Sequence, residues 1–179
     1  NNIVGLKPSR GLVSAHGVVP AAQAVDCVSI FATTVGLAAE VLAAALGHDA
    51  ADPYSRAIAL LDAPFGTRFR FGIPAKPEFF GDEAARSAFD DALVRMTALG
   101  GEAVPLDFSV LSACNDMLYG SALVSQRYAA IRTFFDAHAA EVIEPVRSIV
   151  AAGRDHSAAD LVDAQTRLAA LSQQAAQLW

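Results

Sequence analysis

The sequence predicts an α/β protein with a helix-rich C-terminal half, on three observations. First, Arg68-Phe69-Arg70-Phe71-Gly72-Ile73-Pro74 alternates in the manner of a strand and closes on glycine and proline. Second, the stretch that follows carries apolar Ala85, Phe89, Leu93 and Met96 at helical spacing and runs into Gly100-Gly101, with a further short strand expected over Glu102–Phe108. Strand, helix and strand in that order make an α/β unit with a right-handed crossover. Third, nearly everything beyond Ser109 reads as helix, and much of the 54% hydrophobic fraction is alanine, which favours helix over strand.

Taken in chain order, Ile3–Lys7 is a short apolar run beside Pro8 and reads as the end of a buried strand. Gly11–Pro20 is a loop punctuated by Gly11, Gly17 and Pro20. Ala22–Leu46 is rich in Ala, Val and Leu, lacks proline and ends at Gly47, so it predicts one long helix. Asp49–Arg56 is a polar connection. Pro74 and Pro77 stiffen a loop leading to Asp82, a good N-cap for the helix that reaches Leu99. Leu111–His138 and Val142–Ala152 are the next two helices, with Pro145 in the first turn of the second. Ser157-x-x-Asp160 is a capping-box pattern that opens a last helix toward Leu178. No internal repeat or low-complexity linker interrupts the chain, so one domain, or part of one, spans residues 1–179.

Composition narrows the function. Nineteen acidic residues against 13 basic ones give a net charge of −6, which speaks against nucleic acid and against anionic membrane surfaces as partners. Asp26 and Glu40 leave the Ala21–Leu46 stretch too short of uncharged residues for the ~20 that a span needs. Cys27 and Cys114 lie far apart in apolar runs and read as buried small hydrophobes in a reducing cytoplasm. No signal peptide is read, and the first residue is Asn1 rather than Met, so the natural N-terminus is expected elsewhere.

The usual marks of chemistry are sparse. His16, His48, His138 and His156 are scattered, with no pair at metal spacing, so no metal is expected. There is no Gly-x-Ser-x-Gly elbow and no phosphate loop, and no cofactor is implied. Asp82-Glu83 and Asp90-Asp91 sit on a helix start or face and read as solvated. Lys7, beside an apolar strand, is a conceivable catalytic lysine.

Two constellations carry more. Asn1-Asn2-Ile3-Val4-Gly5-Leu6-Lys7-Pro8-Ser9-Arg10-Gly11 continues through Gly17-Val18-Val19-Pro20 to Asp26-Cys27-Val28-Ser29-Ile30-Phe31-Ala32. It resembles the segment that directly follows the nucleophilic serine of amidase signature hydrolases, and Asp-Cys-Val-Ser resembles the allophanate hydrolase branch. Leu118-Tyr119-Gly120 with Gln126-Arg127-Tyr128 resembles the same branch, as do Phe69–Pro74 and Phe79-Phe80-Gly81-Asp82. The likeness runs from Asn1 to about Leu171.

The resemblance implies a mixed sheet wrapped by helices and hydrolysis of the terminal amide of allophanate with release of ammonia. It implies a serine nucleophile, a second serine with a cis peptide bond and a lysine base, all upstream of Asn1, so no catalytic residue is expected within the chain. Lys7 follows the serine motif, whereas the family's lysine precedes it, so Lys7 is expected to be structural. Tyr119 and Arg127 match the family's substrate-contacting tyrosine and arginine. The chemistry suits them: a guanidinium fork matches a carboxylate bidentately, and a phenol adds one directional hydrogen bond. On an unbroken helix these two residues would lie ~12 Å apart along the axis, although the lean of helical side chains brings Arg127 back toward Tyr119. Gly120-Ser121-Ala122-Leu123 departs from the acidic residue and Gly-Pro-aromatic turn found there in the family. The plain alternative is an amphipathic helix with Tyr119 inside and Arg127 on its surface.

The family resemblance also implies a functional link to a biotin-dependent urea carboxylase or to triazine breakdown. A subset of the family's strands would leave open edges and an apolar face. A homo-oligomer, further chain or a cleaved partner segment is expected to cover it. Another amidase acting on a different amide, and an inert binding or dimerisation module, are the competing readings.

Overall fold

The computed structural model describes residues 2–60 and 66–178. It divides into two compact units, Asn1–Leu60 with Tyr119–Leu161 and Leu61–Leu118 with Val162–Trp179.

In the first unit, β1 (Val4–Leu6) pairs antiparallel with β2 (Ile30–Ala32), Gly5 lying opposite Phe31. Period-2 alternation then puts Ile30 and Ala32 inward and leaves Phe31 71% exposed. Helix α1 (Val35–Ala45) covers the inner face, where Ala38 and Leu42 join Ile30 and Ala32, with Val4, Leu6, Val13 and Leu46 packed around them.

The single helix expected over Ala22–Leu46 is therefore corrected. Helix forms only from Val35, and the residues before it make a turn and a strand. Two local causes act. The Asp26 carboxylate accepts from the backbone N–H groups of Ala21 and Ala22 at 3.0 and 3.1 Å, which folds that segment into a side-chain-closed turn. Thr34, extended at φ −138° and ψ 157°, accepts from Leu37 N at 3.1 Å and sets the helix start. The helix end is where expected: extended Leu46 is the C-cap, which puts Gly47 at C′.

The second unit holds the expected strand–helix–strand. β3 (Phe69–Pro74) and β4 (Gly101–Leu106) pair in parallel, Phe71 opposite Ala103, with α2 (Glu83–Ala98) between them in sequence. Asp82 caps α2 as expected, its Oδ1 accepting from Ala85 N at 2.9 Å. Of the anticipated stripe, Phe89, Leu93 and Met96 are half-buried and Ala85 is exposed. Phe89 packs against Phe79 with ring centroids 5.6 Å apart.

Gly100 ends this helix at φ +94°, and a Cβ there would lie 2.0 Å from the Thr67 carbonyl oxygen. Left-handed backbone and a backbone clash act together, so Gly100→Ala is expected to cost about 1–3 kcal/mol or more in chemical denaturation. A midpoint equal to the parent's would contradict this.

After Leu106 the described chain is helical, as anticipated. α3 (Ser109–Gly120) begins where Asp107 Oδ1 accepts from Ser109 N at 2.9 Å. α4 (Ser125–His138) contains one non-helical residue, Ile131 at φ −124° and ψ 17°. The one helix expected over Leu111–His138 is thus two, and their break is described below. α5 spans Val146–Ala152, with Pro145 immediately before it rather than inside its first turn. α6 (Ala158–Ala176) opens on the anticipated capping box: Asp160 N donates to Ser157 Oγ at 3.1 Å, and Ser157 N to Asp160 Oδ2 at 2.7 Å.

Parallel and antiparallel pairing are both present, each as a two-stranded sheet. The expected apolar exposure is present too: Ile3, Phe31, Val35, Leu37 and Val41 all remain at least two-fifths accessible. Among the described residues no helix is long and apolar enough to cross a membrane.

Candidate functional site

The helix breaks between Tyr119 and Arg127. Gly120 ends α3, and Ser121 is fully extended at φ −140° and ψ 175°. Ser121 Oγ then accepts from Leu123 N at 3.3 Å and starts one 3₁₀ turn, Ala122–Val124, before α4 begins. Ala122, Leu123 and Val124 are 4%, 6% and 2% exposed, so burial of three consecutive apolar side chains anchors the break.

This break overrides the helical geometry that would separate the two candidate residues. The Arg127 guanidinium carbon stands 4.5 Å from the centre of the Tyr119 ring. The pair is a cation–π stack. Tyr119 is 61% exposed and Arg127 is half-buried, which places an aromatic plane and a permanent positive charge at the surface of one unit. The guanidinium carbon lies over the ring, and the N–H donors of such a group radiate in its plane. A planar anion meeting that edge would gain charge-assisted hydrogen bonds, with the phenol beside them.

The other candidates resolve into structure. Lys7 is exposed and its Nζ donates to the Pro8 carbonyl at 3.2 Å. Cys27 and Cys114 are free and half-buried rather than buried, and Cys27 Sγ donates to the Pro8 carbonyl at 3.1 Å. His138 Nδ1 sits 2.8 Å from Glu141 Oε1 at the end of α4, and His16 Nδ1 is 4.0 Å from Asp49 Oδ2. Among the described residues no three His, Cys, Asp or Glu side chains converge on a metal-sized point.

A small cavity of about 100 Å³ lies in the first unit, walled by Arg10, His16, Asp26, Asp52 and Tyr54 among others. Its carboxylates are occupied. Asp52 is 9% exposed, and its two oxygens accept from Ala15 N and Tyr54 N, each at 2.9 Å. Outside its lining, Asp49 accepts from Ser14 Oγ at 2.7 Å and from Ala51 N at 2.9 Å. Hydrogen bonds from Ala15 and Tyr54 hold Asp52 below the usual carboxylate range, and those from Ser14 and Ala51 do the same for Asp49. These carboxylates tie the 11–20 loop to the 49–56 connection.

The lowered values carry a prediction. The folded chain binds fewer protons at these sites than the unfolded chain, so their stabilisation is full above the unfolded-state value and is lost as pH falls through the folded-state one. Acid unfolding followed by circular dichroism is expected to be shallower in Asp52→Asn than in the parent, and identical acid profiles would contradict the brace.

Reading the sequence brought Tyr119 and Arg127 to notice but gave no role to Tyr128, Asp136 and Arg154, which are joined to one another.

Comparison with known proteins places the chain in a family. The amidase family profile matches residues 1–178. The urea amidolyase of Saccharomyces cerevisiae is 32% identical over 164 residues, covering 89% of this chain and 9% of that protein. The Kluyveromyces lactis allophanate hydrolase structure superposes with a TM-score of 0.92 at 28% identity, over 99% of this chain and 30% of that one. A glutamyl-tRNA(Gln) amidotransferase component from Acidobacterium capsulatum is 35% identical over 114 residues, 58% of this chain and 23% of that protein. The chain spans less than a third of the length of each of these relatives.

Proposed function

The chain belongs to the amidase family, and within it we propose that these residues form the substrate-orienting part of an allophanate hydrolase. The observation that carries the reading is the Arg127 guanidinium stacked 4.5 Å from the Tyr119 ring. Allophanate is a small planar anion, a carboxylate joined to a urea-like amide. Arg127 would take the carboxylate through its donor edge, and the Tyr119 hydroxyl would bond the amide portion. Likeness to a urea amidolyase and to an allophanate hydrolase supports this substrate class.

In this proposal the serine nucleophile, its partner serine and the lysine base come from chain outside the 179 residues. The serine oxygen attacks the terminal amide carbon, its proton passes through the relay to the departing nitrogen, and ammonia leaves. Water then hydrolyses the acyl-enzyme. Backbone N–H groups beside the nucleophile would stabilise the oxyanion. Tyr119 and Arg127 contribute by fixing the substrate in an attack geometry. A cytoplasmic homo-oligomer working with a urea carboxylase, which would supply the substrate by adding a carboxylate to urea, fits the same reading.

A second amidase reading draws on the likeness to an amidotransferase component: hydrolysis of a different, neutral amide. Ammonia release separates the two. An enzyme carrying these residues together with the serine motif is expected to release ammonia from allophanate. Release from neutral amides but none from allophanate would overturn the proposal.

A further inference from the structure

A second cluster of side chains links α4 to the residues just past α5. The Tyr128 hydroxyl donates to the Asp136 carboxylate, 3.0 Å from each oxygen. Arg154, two residues past α5, pairs with the same carboxylate through Nη2. Its guanidinium also lies 5.0 Å from the Tyr128 ring centre and 5.1 Å from that of Phe135. Phe135 is 1% exposed and meets the Tyr128 ring edge-on at 6.3 Å. Four side chains thus interlock, three from α4 and one from the end of α5.

The Tyr128–Asp136 bond requires α4 to depart from regular geometry. Residues eight apart on a straight helix differ by about 80° around the axis and do not share a face. Ile131, with its non-helical φ of −124°, lies between them and supplies the departure. The bond therefore reads the kink and is broken if the helix straightens.

The close approach of α5 fixes the other end. A Cβ on Gly153 would fall 2.8 Å from Tyr128 Cβ, 3.0 Å from the Val124 carbonyl oxygen and 3.1 Å from Ser125 Cα. Glycine is required because backbone packs on backbone there. Those contacts bracket Arg127 on both sides in sequence. Ser125 Oγ in the same turn is buried without a hydrogen-bond partner among the described residues, as befits a turn closed to water.

We propose that Tyr128, Asp136 and Arg154 are positioning residues: they lock the kinked α4 against Gly153 and thereby hold the Arg127 guanidinium over the Tyr119 ring. Arg154 hydrogen bonding holds the Asp136 carboxyl below its usual range, with Tyr128 adding to the effect, so the cluster keeps its charge at neutral pH. Arg154 and Asp136 are each more than two-fifths exposed, so the ion pair alone adds little to global stability. Its role is geometric. An ångström-scale shift of a substrate-holding group costs catalysis out of proportion to the stability lost.

The inference rests on Tyr119 and Arg127 being the substrate contacts, and the test separates the two ideas. In the full-length enzyme, Tyr128→Phe, Arg154→Met and Arg154→Lys are assayed for ammonia release from allophanate, with Arg127→Ala as the reference. Tyr128→Phe and Arg154→Met are expected to raise KM about tenfold while kcat falls much less, and Arg154→Lys to recover part of the loss because it restores the charge beside Asp136. A merely structural role would lower the thermal midpoint and kcat together and show no recovery in Arg154→Lys. A large KM effect in Arg127→Ala with none in the foldable Tyr128→Phe or Arg154→Met would overturn the positioning proposal and leave the substrate assignment intact. No effect in Arg127→Ala would overturn the assignment itself.

Discussion

Replacing Arg127 with alanine is expected to reduce kcat/KM for allophanate by about a hundredfold or more, carried mostly by KM. The size follows from what is removed. A hydrogen bond to a charged group contributes about 1.5–3 kcal/mol, and a guanidinium edge can make two to one carboxylate. Each 1.4 kcal/mol is about tenfold, so losing both bonds reaches two orders of magnitude. KM moves more than kcat because the carboxylate is bound in the ground state as well as in the transition state. Arg127→Lys keeps the charge but loses both the fork and the planar stack on Tyr119, 4.5 Å away, and is expected to recover only part of the loss. Tyr119→Phe keeps the stack and loses the hydroxyl, for a loss of about tenfold. Steady-state ammonia release checks all three, and an unchanged kcat/KM in Arg127→Ala would sink the assignment.

Phe135→Ala is expected to be the most destabilising substitution in the α4–α5 region, at about 3–5 kcal/mol. Phe135 is 1% exposed and is the largest fully buried side chain in the described structure. Truncation removes its transfer free energy and leaves a cavity bordered by the Tyr128 ring, 6.3 Å away, and by the Arg154 guanidinium, 5.1 Å away. Those two groups belong to the proposed positioning cluster, so the loss of stability is expected to come with a loss of substrate affinity. Phe135→Leu fills most of the volume and should cost roughly a third to a half as much. Urea denaturation of parent and variants measures the difference. A shift below about 1 kcal/mol in Phe135→Ala would show that this cluster is not a packed core.

Elements whose signals are local were legible in the sequence. Asp82 and the Ser157–Asp160 box announce α2 and α6 because a cap is a contact between residues a few positions apart. β3 was legible because burial alternates along Phe69–Gly72, which stamps alternation on the sequence there. The long helix expected over Ala22–Leu46 failed for the converse reason. Alanine-rich composition argues for helix, but Ile30–Ala32 is held extended by pairing with Val4–Leu6, more than twenty residues earlier, and a window along the sequence does not contain that partner.

The site was legible only in part. Tyr119 and Arg127 stood out through family likeness, while spacing alone favoured an amphipathic helix. What brings them together is the extended Ser121 and the buried Ala122–Val124 turn, which a propensity scale reads as ordinary helix. The cluster of Tyr128, Asp136 and Arg154 left no mark because it depends on the kink at Ile131 and on backbone contact at Gly153, both products of tertiary packing.

The most direct test of the account compares ammonia release from allophanate with release from biuret, which replaces the carboxylate by a neutral amide on a similar planar skeleton. The parent enzyme is expected to prefer allophanate by about a hundredfold in kcat/KM, and Arg127→Ala to lose most of that preference. Equal use of the two substrates by the parent, or a preference that survives in Arg127→Ala, would contradict the claim that the Tyr119–Arg127 stack recognises a carboxylate.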